Sequence, residues 1–76
     1  MKKAIIYSNG RNIFIESPSP GLLKLYNILG EVLIKKHIHE GLNEIQFSNK
    51  PSGIYFAEFL DRNSNIITRS KVLHLK

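Results

Sequence analysis

Residues that favour turns recur along this chain at intervals too short for an ordinary helix. Between them, no window of about 11 residues carries an uninterrupted helical stripe of apolar side chains. The intervening segments alternate apolar and polar residues, or are rich in β-branched and aromatic ones. The chain is therefore predicted to be all-β. The turn-forming clusters lie at 8–10, 17–21, 27–30, 40–41, 48–53 and 61–65.

Strands are predicted between these turns, spaced by about 8–12 residues. That count and spacing favour a seven-stranded antiparallel sandwich with an immunoglobulin-like plan. A length of 76 residues predicts one domain, residues 1–76. The predicted strands cover residues 3–8, 11–17, 22–26, 31–38, 42–47, 54–60 and 66–75.

Two places predict specific hairpin geometry. Asn9-Gly10 is predicted to form a type I′ turn, because both central residues of that turn need positive φ. Leu42 is out of step with Ile45 and Phe47, which share one face, and this predicts a bulge or bend near Leu42.

Two other connections are predicted from their turn residues. Residues 27–30 are predicted to form a turn that Asn27 opens with its side chain and Gly30 closes. The prolines in SPSPG at 17–21 exclude a central strand and predict a crossing between sheets or an extended connection.

The segment at 31–38 is predicted to form a strand with one apolar face. Val32, Ile34 and Ile38 share this face, and Lys36 is the polar exception on it.

The segment at 54–60 is apolar on both faces, which predicts a central strand. Tyr55, Ala57 and Phe59 are predicted to point inward, and Ile54 and Phe56 to be half covered. Gly53, just before the strand, is predicted to let the chain bend sharply.

Composition excludes several classes of protein. Hydrophobic residues make up 42 % of the chain and charged residues 22 %, which is typical of a globular protein. There is no cysteine, so disulfides and thiolate metal sites are excluded. The net charge of +5 allows anionic partners without selecting one.

The apolar run at 4–7 is too short for a signal peptide, and no stretch approaches the ~20 apolar residues of a membrane span.

Two stretches, read together, resemble a known family. LKLYNILGEVL at 23–33 is followed by a stretch at 43–76 that contains PSGIYF and ends in KVLHLK. Their order and separation resemble the C-terminal sorting domain of the type IX (Por) secretion system, over nearly the whole chain. The positions that fit the family's motifs are Tyr26, Asn27, Gly30, Val32, Ile45, Phe47, Ser48, Ser52, Gly53, Ile54, Tyr55, Lys71, Val72, Leu73 and Lys76.

The sequence departs from the family's pattern in three places. Lys50 stands where an apolar residue, commonly Leu, is usual. SPSPG at 17–21 replaces an asparagine-flanked proline motif, and His74 interrupts the lysine-rich tail.

The resemblance implies delivery and no catalysis. In such proteins an upstream cargo domain reaches the periplasm by its own signal peptide, and the outer-membrane secretion machinery then recognises the folded sandwich. The cargo is secreted or attached to the cell surface. The resemblance implies no cofactor, and the candidate recognition residues are Gly53, Tyr55, Lys71, Val72, Leu73 and Lys76.

The last strand is the expected point of contact with that machinery. Residues 66–76 are expected to offer a free sheet edge, with Lys71 and Lys76 adding electrostatic steering. Removal of residues 72–76 is expected to abolish recognition while the rest stays folded. The strands nearest the termini are also candidates for edge-to-edge pairing in a homodimer.

Two other binding functions fit the sequence less well. One is an adhesin-like module that binds an anionic glycan or a protein partner. The other is an oligonucleotide-binding barrel that stacks bases on Tyr7, Tyr26 and Tyr55. Those aromatic residues lie at positions that predict burial or beside turns, so no nucleic acid partner is expected.

Metal and catalytic sites are not expected either. His37 and His39 share an outward strand face and would need a third ligand such as Glu40 or His74, so they are interpreted as exposed side chains. Residues 61–65 have the spacing of a calcium loop without its Gly and distal Glu, which indicates an ordinary polar turn. The chain has no nucleophile motif and no glycine-rich phosphate loop, so no enzyme is predicted.

Overall fold

The computed structural model describes residues 4–9, 11–47 and 49–75, and these form seven antiparallel strands in two sheets with no helix. The predicted all-β sandwich is confirmed, and its arrangement is consistent with an immunoglobulin-like plan. From the second strand onward, every boundary agrees with the sequence prediction to within one residue. The strands are β1 (Ile5–Ser8), β2 (Asn12–Ser17), β3 (Gly21–Tyr26), β4 (Val32–Ile38), β5 (Gly41–Gln46), β6 (Gly53–Leu60) and β7 (Ile66–His74).

The consecutive strands β1–β2, β3–β4 and β6–β7 pair with each other, and each of the other connections takes the chain from one sheet to the other. One sheet has the order β1-β2-β5, and the other has the order β4-β3-β6-β7. The proline-containing segment after β2 leads from the three-stranded to the four-stranded sheet, so it is the crossing between sheets that was one of its two predicted forms. β6 is a central strand, with β3 on one side and β7 on the other.

Side chains from both sheets meet in a core between them. Tyr55, Ala57 and Phe59 point into this core and are at most 6 % exposed, as predicted. Burial of a large apolar side chain contributes about 1.5–3 kcal/mol, so this layer is the main source of stability. The other buried apolar residues are Ala4, Ile13, Ile15, Leu23, Leu25, Ile38, Ile45, Phe47, Leu60 and Val72.

The bulge predicted at Leu42 is wrong. β5 pairs with β2 in continuous register, so Leu42 points outward and Asn43 takes the inward position, where it is buried. The Asn43 amide donates to the carbonyls of His39 (2.8 Å) and Gly41 (3.2 Å), and its oxygen accepts the His39 N–H (3.2 Å). Because these bonds satisfy the amide, a polar residue can occupy a core position.

One register irregularity lies in β4 instead, and another lies near the start of β7, where Ile67 is an additional residue. Leu25 pairs with Ile34 and Tyr26 pairs with Val32, so Leu33 is an additional residue in β4. Val32 therefore points outward and is 43 % exposed, which corrects its predicted inward position. Leu33 and Ile34 both pack against the core, and Ile38 is buried as predicted.

The predicted type I′ turn at Asn9-Gly10 is also wrong. Asn9 donates its N–H to the Asn12 carbonyl (3.2 Å), so the turn is displaced by one residue along the chain. The Asn9 side-chain oxygen accepts the N–H groups of Arg11 (3.0 Å) and Asn12 (2.8 Å), and Asn9 does not have a positive φ. Gly10 lies outside the described residues.

Candidate recognition site

The stretches that carry the family resemblance come together at one end of the four-stranded sheet. Tyr26 in β3 pairs with Val32 in β4 and with Phe56 in β6, and Phe56 pairs with Lys71 in β7. One row of outward side chains therefore crosses all four strands. The 27–31 turn and the segments at 49–56 and 71–75 lie around this row, and we call this region the motif end.

The start of β6 and the end of β7 pair directly at the motif end. Gly53 pairs with His74, Ile54 with Leu73, and Tyr55 with Val72. Five of the candidate recognition residues are thus brought together in one pair of strands, although they are up to 20 positions apart in the chain. The sixth, Lys76, lies outside the described residues, as does Ser48.

The candidate residues divide between the core and the surface. Tyr55 and Val72 are buried, with 6 % and 3 % exposure, so they hold the strands together and are not available to a partner. Lys71 and Leu73 point outward and are exposed. Gly53 has a φ of +154°, which residues with a side chain rarely adopt, and this agrees with the sharp bend predicted there.

Three buried rings support the motif end from inside. The ring centroid of Phe47 lies 4.7 Å from that of Tyr55 and 4.9 Å from that of His74, both in edge-to-face geometry. Such pairs contribute about 0.5–1.5 kcal/mol beyond burial. Sequence reasoning missed the position of His74, although its two-residue offset from Val72 places both side chains on the inward face.

The same rings anchor the loop before β6. The Tyr55 hydroxyl donates to the Pro51 carbonyl (2.5 Å), and Nε2 of His74 lies 3.1 Å from the Lys50 carbonyl oxygen. Lys50 in turn donates its N–H to the Phe47 carbonyl (3.1 Å). The PSG segment that enters β6 is therefore fixed by side chains from β6 and β7.

The two edges of the four-stranded sheet differ. β4 is interrupted by Leu33 and carries Lys36, which pairs with Leu23 on the inward side, and both features discourage strand addition. Among the described strands β7 pairs only with β6, and its own additional residue, Ile67, lies near its start, away from the motif end. Near its start, the Thr68 hydroxyl donates to the Ala4 carbonyl (3.3 Å). Further along, a groove separates β1 from β7, lined by Tyr7, Ser8, Asn9, Lys71, Val72, Leu73 and Leu75.

Comparison with protein-family models agrees with this geometry. The model described as the secretion system C-terminal sorting domain matches residues 6–73. The chain belongs to this family. No curated protein and no solved structure matches the chain. The family is one of sorting signals for type IX secretion and is not an enzyme family.

The outward face of the sorting domain carries an oriented arginine beside the motif end. Glu58 accepts a hydrogen bond from the Tyr26 hydroxyl (2.9 Å) through one oxygen and from Nε of Arg69 (3.2 Å) through the other. Partial burial, followed by the bond to Glu58, raises the pKa of the Tyr26 hydroxyl. The contact with Glu58 orients the guanidinium of Arg69, while 69 % of the Arg69 side chain is exposed.

The described residues of the sorting domain give no support to a base-stacking face or a metal site. Tyr7 stacks on Phe14 outside the three-stranded sheet, Tyr26 lies outside the four-stranded sheet, and Tyr55 is buried, so the three tyrosines form no common face. The described residues contain no cluster of three or more potential metal ligands. The Asp61 carboxylate caps a turn by accepting the N–H groups of Asn63 and Asn65. Within the same residues, no helix is long and apolar enough to span a bilayer.

Proposed function

We propose that this sorting domain directs attached cargo across the outer membrane to the cell surface, through recognition of its folded motif end by the type IX machinery. The observation that carries this proposal is the pairing of Gly53–Phe56 with Lys71–His74. These are the two segments with the most specific motif residues, and they lie side by side at an open sheet edge.

The five described candidate residues then have three different parts in recognition. Lys71 and Leu73 present a cation and an apolar side chain to the machinery from an edge strand. Tyr55 and Val72 keep that strand in register from inside the core, and Gly53 lets the chain enter β6. The backbone of β7 offers donors and acceptors for strand addition. Residues 1–76 act as one sorting unit, with cargo attached upstream.

The glycan-binding alternative receives no support from the family match. Pairing of two copies through their edge strands also has no observation in its favour, and it stays a prediction.

An export assay tests the proposal. The chain is placed behind a signal peptide and a fluorescent reporter in a bacterium that has the type IX machinery. The reporter is expected outside the outer membrane, and it is expected to stay in the periplasm of a strain that lacks the machinery. Periplasmic retention of a folded fusion in both strains would contradict the proposal.

Two matched variants test the role of β7 in the same assay. Leu73 and Leu42 are outward leucines on edge strands of the two sheets, 54 % and 57 % exposed. Leu73→Asp is expected to block export, whereas Leu42→Asp makes the same chemical change away from the motif end and should leave export intact. Equal export of both fusions would remove β7 from the recognition surface.

A further inference from the structure

The charges of the chain are distributed unevenly around its strands. None of its six acidic residues lies within 1–9 or 66–76, the segments that contain β1 and β7. The same two segments carry Arg69 and Lys71 together with Lys2, Lys3 and Lys76. The connection between β4 and β5 and the β5 strand, by contrast, carry Glu40 and Glu44. An acidic partner would therefore be attracted to the β1–β7 side of the sandwich.

The groove on that side lies along an edge strand, where an extended segment can pair. It measures ≈ 350 Å³ and runs between the end of β1 and the end of β7. Lys71 and Leu73 lie two residues apart on β7 and point to the same outward side. A strand paired along β7 would place alternate side chains opposite these two residues, where opposite charges and apolar pairs are favourable.

A neighbouring cation strengthens the electrostatic match. Arg69 lies two residues before Lys71 on the same face, and Glu58 engages its Nε. Its terminal guanidinium nitrogens have no hydrogen-bond partner among the described residues. A carboxylate opposite Lys71 would therefore lie diagonally within reach of an oriented guanidinium.

We propose that the groove between β1 and β7 binds an extended acidic segment of a partner protein, which pairs along β7 and places a carboxylate opposite Lys71 and an apolar side chain opposite Leu73. This inference rests on the proposed function, because it names the chemistry of the partner that the sorting domain meets at its β7 edge.

A peptide titration tests the inference without the export machinery. The ¹⁵N-labelled chain is titrated with a blocked peptide in which Thr-Glu-Thr-Leu is repeated twice, and with a matched peptide in which Lys replaces Glu. The acidic peptide is expected to shift the amide signals of residues 7–9 and 71–75. The inference is overturned if the lysine peptide binds equally well, or if the shifts map to β4 or β5.

Charge reversal separates a specific contact from net charge. Lys71 and Lys35 are exposed lysines on the two edge strands of one sheet, and Lys71→Glu and Lys35→Glu change the net charge equally. Lys71→Glu is expected to weaken binding of the acidic peptide about tenfold, and Lys35→Glu by less than about twofold. The Lys71→Glu variant should in turn gain affinity for the lysine peptide. Equal losses in the two variants would overturn the inference.

Two further outcomes complete the test. If a heparin hexasaccharide binds the same groove more tightly than the acidic peptide and with the same dependence on Lys71, the site is one for anionic glycans and the inference fails. If peptide binding is absent while the wild-type fusion is exported, the acidic-segment assignment fails and the proposed function stands. Failure of export in a chain that binds the peptide would count against the proposed function instead.

Discussion

His74 Nε2 lies 3.1 Å from the backbone carbonyl oxygen of Lys50. These are two of the positions at which the sequence departs from the pattern of its family, so two departures meet in one contact. A carbonyl only accepts, so Nε2 donates the proton. Nδ1 is buried and has no hydrogen-bond partner among the described residues. The histidine is therefore a structural part of the motif end.

Removal of His74 is expected to destabilise the domain more than replacement of Lys50. His74→Ala should lower the free energy of unfolding by about 2–4 kcal/mol, because it leaves a cavity beside Phe47 and an unpaired Lys50 carbonyl. Lys50→Leu should change it by less than about 0.5 kcal/mol, because the contact uses the backbone. Urea unfolding measures both. A larger loss in Lys50→Leu would show that the lysine side chain, and not its backbone carbonyl, makes the main stabilising contact.

Truncation of the C-terminus is expected to have a steep dependence on length. Removal of residues 72–76 deletes Val72 and His74, both buried, so we expect cooperative unfolding to be lost. This conflicts with the expectation from sequence that the remainder stays folded. Removal of residues 75–76 alone deletes the exposed Leu75 and spares both buried residues, so it should leave the melting transition cooperative. Circular dichroism melts of the two truncated chains provide the check.

An export experiment on the tail must therefore use the shorter truncation or point variants. A chain that lacks 72–76 and fails to be exported would be explained by unfolding alone. If that chain instead keeps a cooperative melt, the inward residues of β7 contribute less to the core than their burial indicates.

The sequence predicted the strands and most inward faces because apolar alternation is a local property. Tyr55, Ala57 and Phe59 follow that alternation and point inward. Asn43 does not, because its inward position follows from the pairing of β5 with β2, in which Asn43 lies opposite the buried Ile15. Local patterns carry no information of this kind.

The candidate recognition residues could be named from the sequence, but their spatial arrangement could not. The motif residues could be named from resemblance, but the pairing of Phe56 with Lys71 joins segments whose register is decided by the whole sheet. The additional residue Leu33 in β4 likewise moves Val32 outward without any turn-forming residue to mark it. The orientation of Arg69 depends on Glu58, 11 positions away on another strand.

The Asp61 turn is expected to give the domain a pH-dependent stability at low pH. Hydrogen bonds from the backbone N–H groups of Asn65, chiefly, and of Asn63 hold the pKa of the Asp61 carboxyl below its usual value of 3.8. A lowered pKa in the folded state means that this stabilisation is fully present above the unfolded pKa. It is lost as the pH falls through the folded pKa, when the carboxylate is protonated.

Asp61→Asn is the matched test of that pH dependence. Asn27 caps the 27–31 turn with the same pattern of bonds, so an amide can replace the carboxylate at Asp61. The difference in melting temperature between wild type and Asp61→Asn should therefore change between about pH 5 and pH 2, with the wild type losing its relative advantage in acid. A constant difference across that range would remove Asp61 from the acid response.

The 27–31 and 61–65 turns also share a pattern of backbone hydrogen bonds and a positive φ at their fourth residue. In both, the first residue donates its N–H to the carbonyl of the fifth, and the fourth donates to the carbonyl of the first. The fourth residue has a positive φ in each turn, +85° at Gly30 and +64° at Ser64. Glycine adopts this conformation without steric cost, whereas a residue with Cβ loses roughly 1 kcal/mol there.

Exchange of the two residues is expected to have opposite effects on stability. Ser64→Gly should leave the free energy of unfolding unchanged or raise it by up to about 1 kcal/mol, because relief of the backbone strain is partly offset by greater freedom of the unfolded chain. Gly30→Ser should lower it by about 1 kcal/mol, although a Cβ at Gly30 would contact nothing within 4 Å. The loss expected for Gly30→Ser therefore comes from backbone strain and not from a steric clash. Urea unfolding of the two variants would refute this account if Gly30→Ser were neutral while Ser64→Gly was destabilising.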